Sequence, residues 1–156
     1  MIRTINLKKL ALSVLLPLAV GFFAAVFSVN PQNVYTAISR PPLSPPPWVF
    51  IVVWSILYVL MGIAAYLIKD SKSPLKNKAL NVYYISLALN FLWPIVFFNL
   101  QMYWLALVVL ILLWVTVFIA TAMYLTIDRT AAILMVPYLL WLSFAAYLNV
   151  AIACMN

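Results

Sequence analysis

Three tryptophans and two asparagines, Trp54, Trp93, Trp141, Asn90 and Asn149, are the side chains of this 156-residue sequence best suited to hold a ligand. Indoles offer large flat apolar faces with one N–H donor each, and carboxamides offer a donor and an acceptor without charge. Together they suit a flat hydrophobic molecule with a few polar edges. Acid–base or metal chemistry has far less to work with. The sequence has no His, and its only acids are Asp70 and Asp128. No carboxylate pair, proton relay or imidazole-ligated metal or haem site is expected from such an inventory, and no cofactor. Cys154 stands alone, which removes an internal disulfide and a thiolate cluster.

The elements that carry these residues are apolar enough to define the class. Hydrophobic residues make up 69% of the chain and charged residues 7%, far from a soluble globular balance. Five windows are long enough to span a bilayer, at 10–29, 48–68, 80–98, 103–125 and 131–155, and none contains Lys, Arg, Asp or Glu. The expected fold is an all-α membrane protein, one domain over 1–156, built as a bundle of five transmembrane helices. The first window follows Arg3, Lys8 and Lys9 as a signal peptide would. Its apolar run is too long for that role and no small-residue cleavage site follows, so it is read as a retained span.

Charge sets the expected orientation. With five spans, the N-terminal flank, the 69–79 connection and the 126–130 connection share one side. Arg3, Lys8, Lys9, Lys69, Lys72, Lys76, Lys78 and Arg129 all fall there, against Arg40 alone on the other. The positive-inside rule then puts the N-terminus in the cytoplasm and the C-terminus outside, a multi-pass cell-membrane topology. The same distribution explains the basic pI by attraction to anionic lipid headgroups, with no nucleic-acid partner. Trp48, Tyr103 and Trp104 read as an outer aromatic belt, and Tyr66, Tyr83, Tyr84 and Tyr124 as an inner one.

The connection from Asn30 to Pro47 carries six of the ten prolines, Pro31, Pro41, Pro42, Pro45, Pro46 and Pro47. It is expected to be non-helical and stiff, with Val34, Tyr35, Ile38 and Leu43 apolar enough to pack as a lid, a loose linker being the alternative. Beneath it, Trp54 and Tyr58 share one face of the second span, and Asn90 and Trp93 lie on the third at comparable depth. Trp141, Ala145, Leu148 and Asn149 form a stripe on the fifth. Pro94 frees the backbone carbonyl of Asn90, which then needs a partner that lipid cannot supply. Each residue also has a plain structural reading: asparagines as interhelical hydrogen bonders, indoles as core filler. Trp114, on a span without other polar features, reads as filler or lipid contact. Gly21 and Ala25, four apart, mark a packing seam inside one protomer or between two.

Three stretches, taken in order, resemble one family. Arg40-Pro-Pro-Leu-Ser-Pro-Pro-Pro-Trp-Val-Phe50, with Trp54 and Leu57-Tyr58, is similar to the first loop and second helix of the translocator protein family, also known as TspO/MBR, tryptophan-rich sensory proteins or peripheral-type benzodiazepine receptors. Asn90-Phe-Leu-Trp-Pro94 with Phe97-Phe98 resembles its third helix, and Pro137-Tyr-Leu-Leu-Trp141 with Phe144-Ala145 and Leu148-Asn149 its fifth. The resemblance covers nearly the whole chain and suggests a bacterial member. It implies a receptor or sensor, commonly a homodimer, whose intrabundle cavity binds porphyrins such as protoporphyrin IX, haem-related tetrapyrroles, and synthetic isoquinoline carboxamides or benzodiazepines. Trp54 and Trp141 would then flank the ligand, with Tyr58, Asn90, Trp93, Ala145, Leu148 and Asn149 lining the site. Light- and oxygen-dependent degradation of bound protoporphyrin, using Trp54 and Trp141, is the enzyme-like alternative. A porphyrin or lipid transporter is a further one, although no inverted repeat is apparent. Two departures stand out. Leu43 occupies a place where the family often has an aromatic residue. No Lys or Arg follows Tyr147, so the family's cholesterol-recognition pattern is incomplete.

Overall fold

The computed structural model describes residues 5–156, so Arg3 lies outside the described residues. Six α-helices follow in order: α1 Leu7–Phe27, α2 Pro31–Ala37, α3 Pro47–Lys69, α4 Lys76–Pro94, α5 Tyr103–Ile127 and α6 Arg129–Met155. Five of them are long and apolar enough to cross a membrane, α4 being extended by a wider π-helical turn over Ile95–Asn99. A long helix thus lies within a few residues of each of the five apolar windows. Helix starts follow ordinary capping: the Asn6 side chain accepts from the Lys9 amide and Asp128 from the Ala131 amide.

α5 packs against α4 and α6, and α1 mainly against α3. Their shared core is small and medium side chains: Met61, Ala64 and Ile68 of α3, Ala79 of α4, Leu113 and Val117 of α5, Ala131 and Met135 of α6. Lipid offers no hydrophobic gain to helices that associate within it, so close packing has to hold them, and small residues permit that approach. Gly62 shows how close. A Cβ there would overlap the backbone of Val14 and come within 2.8 Å of the Ser13 carbonyl oxygen. At the same end of the bundle, the Asn6 amide donates to the Tyr66 hydroxyl at 3.0 Å and Lys69 Nζ to Ser13 Oγ at 3.3 Å. The outward faces keep Leu, Val, Ile and Phe side chains exposed, as a lipid-facing surface requires.

Two expectations need correction. The Asn30–Pro47 connection is not wholly non-helical, because α2 occupies Pro31–Ala37. Pro31 stands in its first turn, where a missing N–H costs no intrahelical bond and the fixed φ favours the helix. Asn30 takes the left-handed conformation at φ 42°, which turns the chain from α1 into α2. The inner aromatic belt is also only partly a belt. Tyr66, Tyr83 and Tyr124 are buried in the bundle, and only Tyr84 of that group is exposed. A phenol at the right depth satisfies the belt pattern whether it faces lipid or a neighbouring helix, and depth alone does not set the direction. Trp48 and Trp104 do face outward.

The end of the bundle away from Lys69 is closed by hydrogen bonds to this connection. The Tyr35 hydroxyl donates to the Pro45 carbonyl at 2.9 Å and the Tyr147 hydroxyl to that of Pro42 at 3.0 Å. Asn156 holds Ser39 twice, accepting from its amide and donating to its carbonyl, both at 3.0 Å. Asn99 likewise accepts from the Val29 amide at 2.6 Å and donates to the Phe27 carbonyl at 2.7 Å. Arg40 lies over the Tyr35 ring, 4.8 Å from its centroid. A loose linker would make few of these bonds. This one is tied down.

Candidate functional site

Beneath that connection lies a cavity of about 520 Å³, within the size range of small-molecule sites. Its walls come from every span but α5. α3 contributes Phe50, Trp54 and Tyr58; α4 and its π turn contribute Asn90, Trp93, Phe97 and Phe98. α6 contributes Ala145, Leu148 and Asn149, α1 contributes Gly21 and Ala25, and Tyr35 of α2 closes the top. The sequence spacing explains the selection. Phe50, Trp54 and Tyr58 are successive i, i+4 neighbours on α3, and Trp54 stacks on Tyr58 with ring centroids 5.5 Å apart. Ala145 leaves room opposite them.

The floor is polar and ordered. Asn90 Nδ2 donates to the Tyr138 hydroxyl at 2.8 Å, and Tyr58 lines the cavity beside it. Trp93 Nε1 donates to Asn149 Oδ1 at 3.0 Å, while Asn149 Nδ2 donates to the Tyr103 carbonyl at 2.9 Å. Asn149 is thus committed to holding α4, α5 and α6 together. Trp93 therefore lines the cavity with its N–H already occupied. Asn90 keeps capacity for a ligand, since a carboxamide can make four hydrogen bonds. Pro94 contributes in a second way: the helix widens into the π turn just after it, with the Met102 amide reaching back to the Val96 carbonyl at 3.2 Å. That widening carries Phe97 and Phe98 to the cavity wall.

Seven of the eight expected site residues are brought together here: Trp54, Tyr58, Asn90, Trp93, Ala145, Leu148 and Asn149. Trp141 is not among the lining residues, and the expected pair of indoles facing one another is not formed. Trp141 instead borders a shallow groove of about 450 Å³ on the outside of the α3–α6 pair, with Val53, Leu57, Pro137 and Phe144. The reason is Phe50. Its ring packs edge-on to Trp141 at 5.7 Å and to Tyr35 at 5.1 Å, and it takes the place on the cavity wall between them. Trp114, also off the cavity, donates to Ser143 Oγ at 2.9 Å and stacks on Phe118.

Sequence reasoning missed Phe50, Gly21 and Tyr138. Phe50 was visible as the residue one turn before Trp54. Gly21 was read as a seam with two possible partners; the structure turns it to Tyr58 of the same chain, whose ring a Cβ at Gly21 would overlap. Tyr138 gave no signal, because it acts through Asn90 from a fully buried position. Tyr138→Phe should leave the Asn90 amide with one partner fewer in a low-dielectric interior. We expect a loss of about 1–2 kcal/mol in unfolding free energy in detergent, measured beside Tyr84→Phe as an exposed control. An unchanged midpoint would mean that Asn90 finds another partner.

An α-helical bundle of five spans, with an aromatic cavity roofed by its first connection, is the architecture of a multi-span membrane protein. Residues 13–155 match the TspO/MBR family. The chain is 38% identical over 152 residues to the tryptophan-rich protein TspO of Chlorobaculum tepidum, covering 94% of this chain and 95% of that protein. It is 37% identical over 152 residues to the protein of the same name from Archaeoglobus fulgidus, covering 97% and 99%. With the translocator protein of Homo sapiens it shares 39% identity over 119 residues, covering 74% and 70%. The chain belongs to the TspO/MBR family.

Proposed function

We propose that this chain is a membrane receptor for flat, largely apolar tetrapyrroles, porphyrins such as protoporphyrin IX, with isoquinoline carboxamides or benzodiazepines as synthetic occupants. One observation carries the reading: the cavity of about 520 Å³ has aromatic walls at Phe50, Trp54 and Trp93 and a polar floor at Asn90. Ring faces on several sides give a macrocycle stacking area, and the amide and phenol at the floor fix which edge points inward. Ala145 and Leu148 close the site from α6. Kinship with proteins named for sensing and translocation supports a receptor role, and the family's habit supports a homodimer. The lysines of the α3–α4 connection, sharing an end with Arg129, support a cytoplasmic N-terminus and an outside C-terminus. Titrating the chain in lipid nanodiscs with protoporphyrin IX should quench tryptophan fluorescence to saturation, and an isoquinoline carboxamide should reverse it. Quenching that rises linearly, as for porphyrin dissolved in empty nanodiscs, would rule the receptor out.

Light-dependent breakdown of the bound porphyrin is the second reading. It is favoured by Trp54 stacked on Tyr58 at the cavity wall, an electron-rich pair within reach of an excited ligand. The porphyrin supplies the photochemistry and dissolved oxygen the oxidant, so the missing acid–base groups are no obstacle. Under illumination, loss of porphyrin absorbance should outpace that in protein-free nanodiscs. An equal rate in both would dismiss it.

A further inference from the structure

The roof of the cavity is closed by hydrogen bonds, whereas its flank is open. Tyr35, which closes the top, is 5% exposed. To lift the connection away, its bonds to Tyr147 and Asn156, and those of Asn99 to the end of α1, would have to break together. On the side, the lining includes Gly21, Phe22 and Ala25 of α1 and Ile51 and Ser55 of α3. Phe22 is 64% exposed and Ile51 58%, so these residues face both the cavity and the outside. Ala25 and Ser55 are exposed as well and small, and the Ser55 hydroxyl is turned back onto the Ile51 carbonyl at 2.7 Å. No charged side chain is among the lining residues of this gap. It lies in the outer half of two spanning helices, at a depth where the surroundings are hydrocarbon.

We propose that this gap between α1 and α3 is the mouth of the site, through which a ligand already dissolved in the bilayer passes, while the connection above stays shut. The inference rests on the reading of the cavity as a ligand site. α1 is suited to flank a passage. Only Ser13, Pro17 and Ala24 of its 21 residues are buried, and its outer end is tied to the π turn after α4, through Asn99, and not to α3. Its backbone-to-backbone contact with α3 lies further in, where Gly62 meets Val14 and Ser13. The mouth selects ligands by partition: molecules that concentrate in the hydrocarbon region arrive at its rim, and charged water-soluble ones do not.

The test uses the full chain in lipid nanodiscs, with Cys154→Ser to remove the native thiol. Ala25→Cys with Ser55→Cys puts one thiol on each rim of the mouth, to be joined by a short reducible bis-thiol linker. Ser39→Cys with Asn156→Cys does the same between roof and α6. Protoporphyrin IX is the probe and the rate of tryptophan quenching the readout, each protein being compared with itself after reduction. Bridging the mouth should slow association by at least about tenfold, and bridging the roof should change it by less than about twofold. Ala25→Phe with Ser55→Phe should slow association likewise without any bridge. A slowed rate on bridging the roof alone, or no slowing in either case, would overturn the mouth. Absence of saturable quenching even in the reduced proteins would remove the receptor reading itself, and the mouth with it.

Discussion

Gly62→Ala should lower the thermal unfolding midpoint of the protein in detergent, and Gly62→Val should lower it further or prevent accumulation of folded protein. Propensity argues the other way, since alanine in place of a mid-helix glycine contributes about 1 kcal/mol. Packing is the larger effect. The first atoms a Cβ would meet are the Cα of Val14 and, at 2.8 Å, the carbonyl oxygen of Ser13. Both belong to the backbone of α1 and cannot rotate away. Relief requires moving a helix that is also fixed by the Asn6–Tyr66 and Lys69–Ser13 bonds. Overpacking of this kind costs on the order of 3 kcal/mol, so the net sign is destabilising. Val14→Ala should not restore stability, because the side chain of Val14 is not the main obstacle. Gly21→Ala offers the contrast: its obstacle is the Tyr58 ring, which has a cavity to move into, so Tyr58→Leu should erase most of its effect. A raised midpoint for Gly62→Ala would refute the close α1–α3 contact.

The difference between these two glycines shows what the sequence could and could not disclose. The five spans follow from apolar length alone, because a backbone in lipid has few alternatives to a helix. Which face of each helix turns inward does not follow so easily. Soluble helices betray their inner face by polarity, and here nearly every face is apolar. Gly62 was not singled out for that reason, and Tyr66, Tyr83 and Tyr124 passed for belt residues although they are buried. Prolines misled in the opposite sense. Six of them in one connection suggested no helix, yet the position of Pro31 in the first turn of α2 favours one. Composition records how many prolines there are; their effect depends on which turn each occupies.

Polar residues were the better guide to the cavity. Asn90 and Asn149 had to find partners inside the bundle, and both lie on the cavity wall, engaged with Tyr138, Trp93 and the Tyr103 carbonyl. Aromatic residues were guided less well, because an indole is at home in the core, at the interface or against lipid. Helical spacing put Trp141 on one stripe with Ala145, Leu148 and Asn149. Its ring departs from the stripe because Phe50, from the neighbouring helix, packs against it. No spacing rule within α6 contains information about a side chain on α3.

That displacement separates two substitutions that the sequence made equivalent. Trp54→Ala should weaken protoporphyrin IX binding by roughly 10- to 100-fold, since stacking on one indole is worth about 1–3 kcal/mol. The indole lines the cavity directly and also braces Tyr58 beneath it and Tyr138 behind, at 5.5 and 5.9 Å between ring centroids. Trp141→Phe should change the affinity by less than about twofold, because a phenyl ring can still pack against Phe50 and the cavity wall in between is unaltered. Both variants are best read by competition with an intrinsically fluorescent porphyrin, so that the lost indole does not itself alter the signal. If Trp141→Phe proves as damaging as Trp54→Ala, ligand binding must draw the Trp141 ring past Phe50 into the cavity. If Trp54→Ala leaves affinity intact, the aromatic wall of α3 is not where the macrocycle rests.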